Sequence, residues 1–326
     1  MNIKDKLVNI DTDKIKKGLI KAVEDIDAEK IKSGIIKTVE GTEKVAKNVG
    51  LKTNEIAVKT KEEVVKKMDQ NGDGQIGIED IIMMGIKIPG ISVNREAFLR
   101  REFQKKYSNT VIENAIALNP TKAGIKREDI DKIAEDVIEH ERLMVSGISA
   151  VLGTPGGAAM VATIPTDISQ YYGYMLRVTQ ELLYLYGFQE IDTSEENGTL
   201  DSETMNILII CFGVMYGVAG ANNALKSLAV ALGKGVEKQL VKKALAKGAI
   251  YPIVKSVSKW FGVRMTKDIF AGFFKKAIPL VGGAVGGGLT YLTFKPCCAK
   301  LQNSLKDTYL TNPNYVIDES QIIDIA

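Results

Sequence analysis

The sequence predicts an all-α protein in which glycine-rich central helices pack into one multi-helix domain. Apolar residues make up 45% of the 326-residue chain, and they recur mainly at helical spacing. Charge is unevenly distributed, because the first 142 residues carry 53 of the 83 charged side chains. We therefore expect a charged helical arm and one helix-loop-helix unit to precede a more apolar helical body.

The composition also indicates a compartment. Three cysteines, Cys211, Cys297 and Cys298, are too few for a disulfide framework. The first residues, MNIKDKLVNIDTDK, contain no apolar stretch like that of a secretory signal peptide. We therefore expect a cytoplasmic protein with reduced thiols, and its oligomeric state stays open.

Residues 1–58 form the predicted arm, which begins with an internal repeat. IDTDKIKKGLIKAVED, residues 10–25, matches IDAEKIKSGIIKTVEG, residues 26–41, at ten positions. Sixteen residues are not a whole number of turns at about 3.6 residues per turn, so two short helices with a bend near Asp25 fit better than one. Such a lysine- and glutamate-rich arm could lie on a membrane surface, dock on the C-terminal body or remain a solvated extension.

Residues 59–90 contain the sharpest motif of the chain, DQNGDGQIGIED, between two amphipathic segments. This motif resembles an EF-hand calcium loop, with Gly74 at the sharp turn and Ile76 in the short strand of such loops. Oxygen ligands for a hard cation would come from loop positions 1, 3, 5, 7 and 12, which are Asp69, Asn71, Asp73, Gln75 and Asp80.

The loop departs from the common EF-hand pattern at two positions. Position 12 carries Asp80 where most such loops have the longer Glu, and Gly77 at position 9 offers no side chain. No second loop in the sequence pairs with it. We expect weak Ca²⁺ binding, with Mg²⁺ as the alternative ion and an ordinary turn between two helices as the alternative structure.

Residues 91–310 are predicted to form the helical domain, followed by a tail at 311–326. Amphipathic segments lead to Leu143, with a boundary at Asn119-Pro120. A glycine-rich run then breaks at Thr154-Pro155-Gly156-Gly157, and a long helix is predicted to start after Pro165, capped by Thr166 or Asp167.

One face of that long helix carries polar residues at spacings of three and four, including Asp167, Gln170, Tyr174 and Arg177. Together with PGG, IPTD, QELLYLYGF and the later KKAIPLVGGAVGGG, this pattern resembles the bacterial EcsC-like family over roughly residues 94–310. The resemblance implies a helical architecture. It implies no settled biochemical activity.

Three uncharged runs approach the length of a membrane span. They comprise 24 residues after Arg142, 22 after Glu203 and 18 after Lys276, against the about 20 needed to cross a bilayer. Internal PGG, Asn222-Asn223 and clustered glycines interrupt them. Buried core helices with glycines at close contacts are therefore favoured over insertion into the membrane.

The stretch from Lys226 to Lys276 carries twelve basic and two acidic residues, interleaved with aromatic ones. This pattern suits an anionic membrane surface, and a membrane protein is a second candidate partner. The alternatives are solvated faces of core helices and nucleic acid, for which no recognised module is present. The candidate membrane-surface residues are Lys238, Lys242, Lys243, Lys255, Lys259, Trp260, Lys275 and Lys276.

No catalytic signature emerges. The single histidine, His140, lies between Glu139 and Glu141 without a second metal-ligating partner, which favours a solvated surface residue. Asp167 and Arg177 could serve a lipid- or headgroup-processing enzyme, but polar groups on an apolar helix more often satisfy one another. We therefore expect a non-catalytic protein at the inner face of the membrane, with that enzyme and an integral transporter accessory as alternatives.

Overall fold

The computed structural model describes residues 65–152, 159–193, 200–262, 282–312, 314–318 and 322–325. It confirms the all-α prediction, since the elements found there are helices joined by turns. The N-terminal arm, Thr154 to Gly157, Lys275 and Lys276 lie outside these residues.

Within these residues, positions 65–68 are helical and ten further helices follow along the chain. They are α1 (Ile78–Ile86), α2 (Arg95–Phe103), α3 (Asn109–Ala117), α4 (Arg127–Leu152), α5 (Ala159–Leu185), α6 (Ser202–Tyr216), α7 (Ala221–Gly233), α8 (Lys238–Lys247), α9 (residues 251–262) and α10 (Gly282–Lys306).

Three long helices, α4, α5 and α10, form the centre of the fold. Ser149 near the end of α4 bonds to Asp167 near the start of α5, whereas Asp131 bonds to Tyr186 beyond its end, so the two helices are antiparallel. Arg127 likewise reaches Lys306 at the end of α10. Helix α4 therefore runs against both α5 and α10, and the other helices pack around this layer.

Helix α5 begins earlier than the sequence predicts. Its first residue is Ala159, so Pro165 lies inside the helix, and Asp167 accepts a hydrogen bond from Ser149 of α4 at 2.8 Å. The predicted start with a cap at Thr166 or Asp167 is therefore wrong. Local start signals are a weak guide, and here the helix continues through Pro165.

Glycine allows close helix contacts at specific positions. A β-carbon on Gly213 of α6 would lie 2.6 Å from a methyl carbon of Val257 in α9. Gly217, four residues later, instead ends α6 with a left-handed φ of +71°. Of these two glycines, Gly213 therefore permits a close helix contact and Gly217 terminates the helix.

A buried arginine joins the ends of α3 and α5 to the start of α2. The Arg95 guanidinium donates to the backbone carbonyls of Phe188, Ile116 and Ala115 at 2.7 to 3.3 Å. These carbonyls lie at or just beyond helix C-termini, where backbone acceptors lack helical partners. Arg95 therefore fixes α2 next to the carboxyl end of α5.

Candidate functional site

The loop at residues 69–80 is organised by side-chain carboxylates that accept backbone N–H groups. Asp69 accepts hydrogen bonds from Gly72 at 2.6 Å and from Gly74 at 2.8 Å. Asp73 accepts one from Gln75 at 2.8 Å. Gly72 and Gly74 have φ values of +77° and +80°, which glycine adopts without strain.

Asp80 closes the loop from the first turn of α1. One of its oxygens accepts from Gln70 and Asn71 at 2.8 and 3.2 Å, and the other accepts from Gly77 at 2.7 Å. Asp80 is only 1% exposed, although it carries a charge. These three N–H groups satisfy the carboxylate that an EF-hand would direct at the ion.

The apolar positions of the motif hold the loop against the core. Met68, Ile76 and Ile78 are buried, as the pattern predicts. Ile76 does not lie in a strand, contrary to the expectation. Because the sequence contains one loop of this kind, it has no second loop to pair with.

The oxygen atoms of the loop fit a hard cation only in part. Asn71, Asp73 and Gln75 are exposed and Asp69 is half-exposed, so the ligands at positions 1, 3, 5 and 7 are accessible. In the described part of the chain, no three His, Cys, Asp or Glu side chains form a group suited to a metal ion. This fits Asp80 being turned towards backbone amides.

The loop contacts the basic part of the chain through Glu79, at loop position 11. Its carboxylate accepts a hydrogen bond from the Ser258 hydroxyl of α9 at 2.7 Å. Ser258 lies between Lys255 and Lys259 in the sequence, and both lysines are exposed. The start of α1 is therefore attached to a helix that presents basic residues to solvent.

Five of the predicted membrane-surface lysines, those on α8 and α9, lie on the outer faces of these two short helices. On α8, Lys238, Lys242 and Lys243 are exposed, while Val241, Ala244 and Leu245 face the core. Lys242 forms an ion pair with Glu203 at 3.3 Å. Lys255 on α9 lies over the Tyr251 ring, with 5.1 Å between its amino nitrogen and the ring centroid.

Trp260 differs from the lysines because its ring packs on the protein. It contacts Tyr216 and Phe261, with centroid distances of 5.5 and 5.0 Å. The residue is half-buried, so a large part of its ring is already covered by aromatic neighbours.

The polar stripe on α5 does not form one site. Asp167 binds Ser149, which in turn accepts a hydrogen bond from Thr290 of α10 at 3.1 Å. Ten residues of helix, or about 15 Å, separate Asp167 from Arg177. Gln170 and Tyr174 are half-buried between them, and burial, together with nearby Glu141, raises the pKa of Tyr174.

Arg177 belongs to a buried charge cluster, defined here as Glu141, Arg177 and Glu181. Its Nε donates to Glu141 at 2.9 Å, and its Nη2 lies 3.3 Å from Glu181. Its Nη1 donates to the carbonyl of Gly90 in the connection between α1 and α2. Burial opposes the charge on Arg177, but the two carboxylates outweigh it and raise its pKa.

Sequence reasoning missed Glu141, which was noted only as a neighbour of His140. It is 4% exposed and lies on the buried face of α4 with Ile138 and Val145. The spacing of these residues, at three and four positions, was a usable signal. His140 itself is exposed, as expected.

Comparison of the chain with protein-family models, curated proteins and solved structures finds no match. The resemblance to the EcsC-like family therefore stays a prediction. Within the described residues, no helix combines the length and apolar character needed to cross a bilayer.

Proposed function

We propose that this protein is a non-catalytic peripheral protein of the cytoplasmic membrane face, with a divalent-cation loop attached to its lipid-binding surface. The observation that carries the proposal is the hydrogen bond between Glu79 of the loop and Ser258 of α9. It brings the ion-binding motif and the basic residues into one unit. Kinship with the EcsC-like family is part of the same proposal.

Attachment would use the exposed lysines of α8 and α9. Lysines near an anionic leaflet contribute about 1 kcal/mol each, and this contribution weakens within a Debye length. Lys238, Lys255 and Lys259 are exposed and are not needed for the core. Trp260 would contribute less than the sequence suggests, because its ring is engaged by Tyr216 and Phe261.

Ion binding would use the accessible oxygens of the loop. Asp69, Asn71 and Asp73 supply side-chain oxygens and Gln75 a backbone carbonyl, which is the set that a hard cation prefers. Asp80 would keep its three hydrogen bonds from backbone amides, so water would complete the coordination shell of the ion. We expect a dissociation constant of roughly 10⁻⁵ to 10⁻³ M for Ca²⁺, with Mg²⁺ competing.

Vesicle flotation tests the lipid surface. Compared with the unmodified chain, Lys238→Gln/Lys255→Gln/Lys259→Gln should bind anionic phosphatidylglycerol vesicles about a hundredfold more weakly, at about 1 kcal/mol per lysine. The matched control is Lys122→Gln/Lys126→Gln/Lys132→Gln, which removes three exposed charges from the α3–α4 region. Equal behaviour of the two variants, or equal binding to neutral vesicles, would reject the proposed surface.

Calorimetric titration tests the ion loop. Asp80→Glu supplies the longer acid of common EF-hands and should bind Ca²⁺ about tenfold more tightly, since ligand charge and reach set affinity. Asp73→Asn should weaken binding while leaving the fold intact, because Asp73 is exposed and accepts hydrogen bonds only from its near neighbours Asn71 and Gln75. Exposed Asp136→Asn on α4 is the control. Identical heats for the unmodified chain and Asp73→Asn would mean that the loop is only a turn.

Coupling between loop and surface is the distinctive part of the proposal. Ca²⁺ should increase affinity for anionic vesicles, and the vesicles should increase Ca²⁺ affinity by the same factor, because linkage is reciprocal. Ser258→Ala removes the hydroxyl that donates a hydrogen bond to Glu79. It should abolish the coupling, while the separate affinities for Ca²⁺ and for anionic vesicles persist. If the coupling is unchanged in Ser258→Ala, the Glu79–Ser258 hydrogen bond does not carry it.

A further inference from the structure

The charge cluster contains two carboxyl groups but only one guanidinium. Glu141 and Glu181 are 4% and 1% exposed, and both interact with Arg177. Arg101 of α2 lies 4.0 Å from Glu181, but it is half-exposed and its Nε donates to Glu102 at 2.7 Å. One half-buried guanidinium, that of Arg177, therefore pairs with two buried carboxylates.

One oxygen of this cluster has no hydrogen-bond partner. Glu181 Oε2 is inaccessible to solvent and accepts no hydrogen bond, whereas its Oε1 faces Arg177. An ionised oxygen in this position lacks both water and a donor, which is costly in an apolar interior. A proton on the carboxyl group removes that cost.

The groups facing Glu181 come from three helices. They are Arg101 and Glu102 of α2, Glu141 of α4, and Arg177 of α5, with Tyr174 also close to Glu141 and Arg177. Burial, with Glu141 as the next cause, raises the pKa of Glu181 to about 8 in spite of the two arginines. Desolvation and a second carboxylate act in the same direction.

The same helix turn fastens the connection between α1 and α2. Arg177 donates to the Gly90 carbonyl, while Gln180 donates to the Ile91 carbonyl and accepts from the Val93 amide at 3.1 and 3.0 Å. Gln180 and Glu181 are neighbours on α5. A change of charge at Glu181 should therefore alter the hydrogen bonds between α5 and residues 90–93.

We propose that Glu181, packed against Arg177 and Glu141, is a proton-binding site that keeps its proton at neutral pH, and that this proton secures the α1–α2 connection on α5. With the proton bound, the remaining carboxylate balances Arg177, which can also hold Gly90. When the proton leaves to bulk water, two carboxylates compete for that guanidinium. Water then enters from the exposed side at Arg101, between α2 and α5.

Carboxyl carbon NMR of protein labelled at glutamate tests this site directly. We expect one glutamate with a titration midpoint about two or more pH units above that of exposed Glu113, and amide shifts of Gly90, Ile91 and Val93 with the same midpoint. Glu181→Gln should remove this titration, and Glu141→Gln should lower its midpoint by about one unit or more. Glu113→Gln is the matched surface control.

Two results would overturn the proposal. One is titration of every glutamate in the usual carboxyl range, and the other is an unchanged midpoint in Glu141→Gln. The principal midpoint is read on the unmodified chain, so the test survives if a variant does not fold. Neither result depends on ions or lipid, which keeps it separate from the proposed function.

Discussion

The carboxylates of the loop at residues 69–80 and those of the charge cluster are stabilised by different partners. Asp69, Asp73 and Asp80 accept hydrogen bonds from backbone amides no more than ten residues away. Glu141 and Glu181 are buried on separate long helices and depend on one arginine. The loop is stabilised by its own backbone, whereas the cluster is stabilised only once the helices have packed.

Replacing Arg177, the arginine that pairs with both Glu141 and Glu181, should give the largest loss of stability. Arg177→Met leaves two buried carboxylates without a guanidinium and the Gly90 carbonyl without this donor, so the free energy of unfolding should fall by about 3–5 kcal/mol. Denaturant titration measures this loss. Arg100→Met removes an arginine whose partners, Glu96 and Glu113, are exposed, and should cost less than about 1 kcal/mol. Similar losses in both variants would show that burial does not distinguish the two arginines.

The pH dependence of stability should come from the cluster. The pKa of Glu181 is raised to about 8 in the folded state, so protonated Glu181 favours folding. Its contribution to the free energy of unfolding is complete below the usual carboxyl range and is lost as the pH rises towards about 8. The free energy of unfolding should fall by up to about 1.4 kcal/mol per pH unit in this interval. Thermal unfolding across pH, compared with Glu181→Gln, measures the slope. A slope that persists in Glu181→Gln would place the titrating group elsewhere.

Within the loop, a smaller contrast is expected in metal-free buffer. Asp80→Ala deprives the amides of Gln70, Asn71 and Gly77 of their acceptor and should cost about 1–2 kcal/mol. Asp73→Ala, at an exposed position that accepts two hydrogen bonds from near neighbours, should change stability by less than about 0.5 kcal/mol. Urea unfolding of both variants gives the comparison. Equal losses would contradict the closing role of Asp80.

The difference between the two regions also explains how much the sequence could predict. Glycines at positive φ, aspartates at fixed spacing and apolar Ile76 form a local pattern, so the loop could be located by reading twelve residues. The helical class followed from periodicity in the same way. The pairing of Glu141 with Arg177 required knowing that α4 and α5 run antiparallel in register, and no local spacing contains that information.

The start of α5 shows where a local signal fails. Pro165 and the possible caps at Thr166 and Asp167 gave a valid local start signal, but the helix begins at Ala159 and continues through them. Trp260 was assigned to the membrane surface because it lies among lysines, and no local pattern indicates that its ring contacts Tyr216 of another helix. That contact joins residues distant in the sequence.

The crossing of α1 over α5 has a mechanical consequence. A β-carbon on Gly85 would lie 3.1 Å from the Cα of Gly173, so the two backbones meet there without intervening side chains. This crossing lies next to Ile86 and about 10 Å along the helix from Ile78. A side chain at Gly85 would push α1 away from α5, and the loop that α1 carries would be displaced with it.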